Sequence, residues 1–82
     1  MESRISVISM LIDSKENVSE INRLLHSCES YIIGRMGIPY RERGVSIICV
    51  VMDAPGDVIS SLSGKLGMIK GVSTKTIVSK QK

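Results

Sequence analysis

Hydrophobic residues follow two kinds of spacing along the chain, and each kind predicts a different structural element. Alternating apolar positions, typical of β-strands, occupy residues 4–13, 32–38, 45–53 and 72–79. Apolar residues three and four positions apart, typical of an amphipathic helix, follow the first and the third strand. The first helix presents Val18, Ile21, Leu25 and Cys28, and the second presents Ile59, Leu62, Leu66 and Ile69. The predicted order of elements is therefore βαββαβ.

This order is typical of a ferredoxin-like α+β sandwich, in which two split βαβ units form a four-stranded antiparallel sheet. Right-handed crossovers place both helices on one face of such a sheet. The first and third strands are then central, which agrees with their being the two most apolar strands. No linker or low-complexity tract is visible, so residues 1–82 are predicted to form a single domain.

Polar and glycine-containing segments mark the connections between these elements. Asn17, with Glu20 three residues later, is typical of a capping box at the start of the first helix. Residues 39–44 predict a hairpin connection between the second and third strands. Pro55 disfavours helix at the residue before it, so the second helix is expected to begin just after this proline.

The two central strands are apolar on both faces, although two helices can cover only one face of the sheet. A monomer would therefore expose one of the two sets as a contiguous apolar patch, which soluble monomers usually avoid. The alternation does not say which set faces the helices. We expect a homo-oligomer formed through the sheet or its edge. The interface candidates are Ile8, Met10, Ile12, Ile48 and Val50.

Composition and charge narrow the classes of function. Hydrophobic residues make up 43% and charged residues 23%, as in a globular domain. Residues 1–30 hold three basic and five acidic side chains, whereas residues 31–82 hold eight and three. The basic C-terminal half could attract nucleic acid, but scattered lysines more often form a solvated surface. The apolar runs are shorter than the roughly 20 residues that span a bilayer, and we see no signal peptide, so we expect a cytoplasmic protein without membrane contact.

Residues that carry chemistry are scarce in this sequence. Cys28, Cys49 and His26 are too few for a closed zinc site, so we expect no metal or other cofactor and interpret each cysteine as a small buried hydrophobe. RNA binding by base stacking on this fold needs aromatic residues on the central strands, whereas Tyr31 and Tyr40 lie outside them. No nucleophile, base and anion cradle converge, so we expect no enzymatic activity.

Several motifs together resemble one known family. They are Arg35-Met36-Gly37-Ile38-Pro39-Tyr40, Gly44-Val45-Ser46-Ile47-Ile48, Leu62-Ser63-Gly64-Lys65-Leu66-Gly67 and Gly71-Val72. From Arg4 to about Val78 the chain resembles the small proteins described as candidate regulators of iron-only hydrogenase systems. The resemblance implies a stand-alone ACT-like domain, similar in fold to the C-terminal domain of the nickel-responsive repressor. It also implies a regulatory role in a dimer or a tetramer.

The chain departs from these relatives at their ligand sites. The nickel repressor binds metal through histidines and a cysteine around its second and third strands, where this sequence has Met36, Gly37 and Tyr40, so nickel sensing is not implied. ACT domains bind amino acids near an Asp-x-x-Gly turn after the first strand. Here a turn of that kind, residues 53–56, follows the third strand instead. An amino-acid effector is compatible with the resemblance, but its site cannot be carried over.

Glycines permit close approach of a ligand to the backbone, and a helix N-terminus offers free N–H groups to an anion. The candidate ligand-binding residues are Asp53, Gly56, Gly64, Lys65 and Gly67. The expected function is a non-catalytic regulatory or ligand-sensing module that acts as a homo-oligomer. The alternatives are a structural or adaptor protein that binds a partner protein, and weak nucleic-acid binding through the basic C-terminal half.

Overall fold

The computed structural model of the protein describes residues 2–80. It contains four strands and two α-helices in the predicted order βαββαβ. Their bounds are β1 Ser3–Ile12, α1 Val18–Ser27, β2 Ile32–Tyr40, β3 Val45–Pro55, α2 Gly56–Gly67 and β4 Val72–Val78. Single turns of 3₁₀ helix occupy Lys15–Asn17, Glu29–Tyr31 and Arg41–Arg43. Among the described helices, none is long and apolar enough to cross a membrane.

The four strands form one antiparallel sheet in the order β2-β3-β1-β4. The two most apolar strands, β1 and β3, are central as predicted, and they pair over the whole length of β1 from Ser3 opposite Pro55 to Ile12 opposite Ser46. Both helices cover the same face of this sheet, so the ferredoxin-like α+β sandwich is confirmed. Strand β3 extends two residues past the predicted end at Asp53 because these residues still pair with the start of β1.

The core lies between the two helices and the face of the sheet that they cover. Each helix contributes three buried residues, which are Ile21, Leu24 and Leu25 from α1 and Ile59, Leu62 and Leu66 from α2. The central strands contribute Ile8, Met10, Ile12, Val50, Met52 and Ala54. The spacing of three and four that predicted the helices is thus the spacing of their core contacts.

This packing corrects the choice of interface residues. Ile8, Met10, Ile12 and Val50 are at most 3% exposed because the two helices cover them, and the half-buried Ile48 also packs against the core. These five residues therefore lie on the wrong face of the sheet to meet a partner. The apolar set that a partner could contact is the alternate one on the same strands, since successive side chains point to opposite faces.

The start of α1 differs from the predicted capping box. The Asn17 side chain makes no capping hydrogen bond and instead donates from Nδ2 to the carbonyl oxygen of Lys70 at 3.0 Å. Glu20 is engaged by Arg23 through paired contacts of 2.7 and 2.8 Å. Because a 3₁₀ turn precedes the helix, Ser14 is the residue that caps, and its Oγ accepts from the backbone N–H of Glu16.

The two outer strands present free edges. Strand β2 runs to Tyr40 and includes Pro39, two residues beyond the predicted end, and an edge strand tolerates a proline because one row of its backbone groups needs no partner. The hairpin is correspondingly shorter than predicted and ends at Gly44, whose φ of +62° is a conformation that favours glycine. From Ile33 to Tyr40 every residue of β2 is exposed.

Candidate functional site

The predicted ligand-binding residues fall into two separated groups. Asp53 lies near the end of β3 and Gly56 is the first residue of α2, whereas the other three belong to the second half of that helix. At 1.5 Å per residue, Gly56 and Gly64, the nearest helical members of the two groups, are about 12 Å apart along the helix axis. The two groups therefore lie toward opposite ends of α2. Their individual roles in ligand binding stay predictions.

Two of these glycines have different local surroundings. A Cβ atom added to Gly67 would lie 3.1 Å from Oγ1 of Thr74, so this glycine lets the end of α2 pack closely on β4. A Cβ atom added to Gly64 would meet nothing within 4 Å. Lys65 lines a groove between the two helices that also includes Cys28, Tyr31 and Asp57. Close helix–sheet packing therefore accounts for Gly67 without a ligand.

The face of the sheet opposite the helices, here called the open face, is dominated by apolar side chains. Its apolar residues are Ile5, Val7, Leu11, Met36, Ile38, Ile47, Cys49, Val51 and Ile77. The register aligns them across the sheet, with Ile77, Val7 and Val51 in one row. Leu11 is 53% exposed and Ile77 is 69% exposed. Asp53 and Lys75 are the two charged residues among the open-face positions of the four described strands.

The two cysteines lie on opposite sides of the sheet and cannot reach one another. Cys49 is on the open face, where its Sγ lies 3.6 Å from Oγ of Ser9, and Cys28 packs against the core at the end of α1. Both are free and half-buried. Within residues 2–80, no group of three or more His, Cys, Asp or Glu side chains comes close enough to hold a metal ion.

Charge pairing at the surface is concentrated on α1. The guanidinium of Arg23 lowers the pKa of Glu20, mainly through the hydrogen bonds that it donates to that carboxylate. Nδ1 of His26 lies 3.1 Å from the carboxylate of Glu29, the first residue of the 3₁₀ turn after α1, and Arg35 reaches from β2 to the side-chain oxygen of Asn22. All of these groups are exposed to solvent, so they do not form an enclosed polar site.

A cavity of about 380 Å³ lies at the end of the sheet, where the turn after β1 approaches the β2–β3 hairpin. Its cationic side chains are Lys15 from the first turn and Arg41 from the hairpin. Sequence reasoning missed both residues because they are 26 positions apart and belong to no motif. The pairing of β1 with β3 brings them together, since Ile12 lies opposite Ser46 at this end of the sheet.

The turn that carries Lys15 is held in place by the segment before β4. The backbone N–H of Asp13 donates to the carbonyl oxygen of Gly71 at 2.9 Å, beside the bond from Asn17 to Lys70. Gly71 has a φ of +83°, and a Cβ atom there would lie 2.9 Å from Oδ1 of Asp13 and 3.0 Å from Cβ of Ser14. Gly71 thus positions one wall of the cavity.

Residues 4–76 match the sequence model of the TM1266-like family, whose description is "Iron-only hydrogenase system regulator, putative". The chain belongs to the TM1266-like family. The structure of the uncharacterized protein TM1266 from Thermotoga maritima is similar over 96% of this chain and 100% of that one, with a TM-score of 0.91 and 38% sequence identity. The resemblance noted from the sequence motifs is therefore confirmed. No curated protein matches the chain.

Two more distant structures share only the fold with this TM1266-like chain. A formyltetrahydrofolate deformylase from Pseudomonas putida matches 95% of the chain with a TM-score of 0.68 and 14% identity, but the match covers only 30% of that enzyme. A de novo designed protein, Foldit4, matches 99% of the chain and 100% of its own length with a TM-score of 0.62 and 12% identity. Since a designed sequence adopts the same fold, the fold by itself carries no function.

The structure places one of the motifs that carry the family resemblance on an exposed edge. Residues 35–40 form most of β2, where Met36 is 55% exposed, Ile38 is 44% exposed and Tyr40 is 46% exposed. Packing within one chain does not account for this run of exposed apolar residues. Met36 and Ile38 also belong to the open face. The most apolar exposed surface of the described residues is therefore the sheet side of the TM1266-like fold.

Proposed function

We propose that the protein is a non-catalytic regulatory module that acts as a homo-oligomer, and that copies assemble through the open face of the sheet. The observation that carries this proposal is the contiguous apolar surface formed by both central strands on the side away from the helices. Soluble monomers rarely leave such a patch uncovered. A second copy of the chain offers the same patch, so a two-fold axis lets it meet itself.

Burial of the open face would contribute favourable free energy to association. Fully burying an aliphatic side chain contributes roughly 1.5–3 kcal/mol. Leu11, Met36 and Ile77 are more than half exposed in the single chain, and the half-buried Val7 and Val51 lie between them in the sheet. Because these side chains are already partly buried in the single chain, completing the burial of all five would contribute several kcal/mol toward association. The remaining open-face residues add to that sum.

The dimensions of the sheet agree with this estimate. Four strands spaced about 4.8 Å apart, with seven to eleven residues each, give a projected area of roughly 450–700 Å². Protruding side chains make the accessible area larger than its projection. A standard interface buries about 800 Å² on each partner. The open face alone therefore supplies most of a standard interface.

Charge on the open face also favours a self-complementary contact. Asp53 lies opposite Ile5 near one end of the face, and Lys75 lies opposite Ser9 on the outer strand β4. Their charges are opposite, so the face carries no net charge that would repel a second copy. The regulatory part of the proposal is supported by the description of the TM1266-like family, which concerns regulation of iron-only hydrogenase systems.

The mass of the protein in solution tests the assembly. We expect light scattering at micromolar concentration to give a dimer or a larger species for the wild type. Val51→Asp places a charge at the centre of the open face and should yield a monomer, because an unpaired carboxylate is costly to bury between two copies. Circular dichroism should show that this variant stays folded. Ser60→Asp adds the same charge at an exposed position of α2 and should keep the wild-type mass.

Two results would contradict the proposal. One is a wild type that is monomeric at micromolar concentration. The other is a Val51→Asp variant that keeps the wild-type mass, which would mean that copies assemble through a different surface.

A further inference from the structure

The cavity at the end of the sheet is built from two connections that are distant in sequence. Ser14 and Lys15 come from the turn after β1, whereas Arg41 comes from the hairpin and Ser46 from the start of strand β3. Neither the open face nor the predicted ligand-binding residues include these side chains. The proposed assembly through the open face therefore does not account for this cavity.

The polar groups that line this cavity are cationic or neutral. Lys15 and Arg41 carry the formal charges, and within the described residues neither side chain forms an ion pair or a hydrogen bond. No carboxylate lines the cavity. The nearest described acid in the hairpin, Glu42, accepts a long hydrogen bond of 3.5 Å from the hydroxyl of Tyr40. Two unpaired cations at one concave site attract an oxyanion, which each can meet with a charge-assisted hydrogen bond.

The remaining wall of the cavity is apolar. Ile12 is buried, Val18 is half-buried, and Pro39 adds a rigid ring. An apolar lining with a few convergent polar groups is typical of small-molecule sites, and a volume of about 380 Å³ lies at the small end of their range. Val18 is also the first residue of α1, so the positive end of that helix's dipole lies at the cavity.

We propose that this cavity binds a small organic anion, with a carboxylate or phosphate head group held by Lys15 and Arg41 and an apolar body against Val18 and Pro39. The hydroxyls of Ser14 and Ser46 lie on the same lining and can donate to the head group. The ligand class excludes free amino acids. Their ammonium group would be placed among cations with no lining carboxylate to pair with it, which is unfavourable in a partly desolvated site.

This inference names the class of effector for the proposed regulatory function. Only the regulatory consequence of binding rests on that function; binding itself does not. The cavity lies within one chain, so binding does not require assembly. The monomeric Val51→Asp variant should therefore bind the same ligand as the wild type. Failure of assembly and failure of binding can then be observed separately.

The probes are three molecules that end in the same isobutyl group: 4-methyl-2-oxopentanoate, isopentyl phosphate and leucine. Titration calorimetry and ¹⁵N-resolved NMR spectra of the full chain measure binding up to about 10 mM, where even a millimolar complex is mostly formed. We expect one or both anions to bind and to shift the amides of residues 14–18 and 40–46. Comparison of the two anions identifies the head group. Leucine should bind at least tenfold more weakly than the anion that binds.

Variants then locate the head group. Lys15→Gln and Arg41→Gln should each weaken binding by about tenfold or more, because each removes a charge-assisted hydrogen bond. Lys80→Gln removes the same charge from an exposed position beyond β4, at the opposite end of the sheet, and should leave the affinity unchanged. The inference is overturned if neither anion binds, if leucine binds as well as the anions, or if Lys80→Gln weakens binding while Lys15→Gln and Arg41→Gln do not. Amide shifts confined to residues outside the cavity would also overturn it.

Discussion

Substitution of Gly71 tests how the turn after β1 is positioned. We expect Gly71→Ala to destabilise the fold more than Gly44→Ala, although both residues have a positive φ. An L-residue in the left-handed region costs roughly 1–2 kcal/mol, and both variants incur this cost. Both also lose the same conformational freedom in the unfolded chain, so that contribution cancels in the comparison.

The two positions differ in what a new methyl group meets. At Gly44 a Cβ atom has nothing within 4 Å, whereas at Gly71 it lies 2.9 Å from Oδ1 of Asp13 and 3.0 Å from Cβ of Ser14. The Asp13 carboxylate can rotate away, but Cβ of Ser14 moves only with its backbone. That movement strains the 2.9 Å hydrogen bond from Asp13 N–H to the Gly71 carbonyl oxygen. Weakening it adds about 1 kcal/mol, so Gly71→Ala should cost about 2–3 kcal/mol.

Urea denaturation followed by circular dichroism measures both costs. A domain of this size has a stability of about 4–12 kcal/mol, so the loss in Gly71→Ala is large enough to lower the midpoint clearly. The slope of the transition should stay the same, because the fold itself is retained. Equal losses of free energy in Gly71→Ala and Gly44→Ala would refute the reasoning, since the contact with Ser14 would then contribute nothing.

Three further predictions concern other parts of the fold. Val50→Asp should abolish cooperative unfolding in urea, because the buried charge costs several kcal/mol, whereas Val51→Asp on the open face should retain it. Gly64→Ala should raise the free energy of unfolding by about 0.5–1 kcal/mol, since it removes a glycine from a helix interior with open space around it; a lower urea midpoint would contradict this. Arg23 lowers the pKa of Glu20, so this carboxylate stabilises the fold above its ordinary pKa and loses that contribution as the pH falls through the lowered value. Glu20→Gln should therefore flatten the acid limb of a plot of urea midpoint against pH.

Most of the fold follows from periodicity, because burial imposes it. Ile21, Leu25, Leu62 and Leu66 were placed on helical stripes by spacing alone, and each is at most 2% exposed. The two faces of β1 were not distinguishable in this way, because Ile8 on the covered face and Leu11 on the open face have nearly the same chemistry. Only the position of the helices separates them. For this reason the sequence predicted an uncovered apolar face but assigned it to the wrong set of residues.

The cavity lined by Lys15 and Arg41 can be approached from the sequence only through the strand topology and not through a motif. A motif search favours residues that are close in sequence, such as Gly64, Lys65 and Gly67. Lys15 and Arg41 belong instead to two separate turns. Once β1 and β3 are taken as antiparallel neighbours, the residues that follow β1 and those that precede β3 must lie at the same end of the sheet. Each of these turns carries a cation, and the hairpin adds a proline and a tyrosine. The predicted topology therefore places Lys15 and Arg41 at the same end of the sheet. It does not predict the cavity or its cationic lining, because the same two turns also carry Asp13, Glu16 and Glu42.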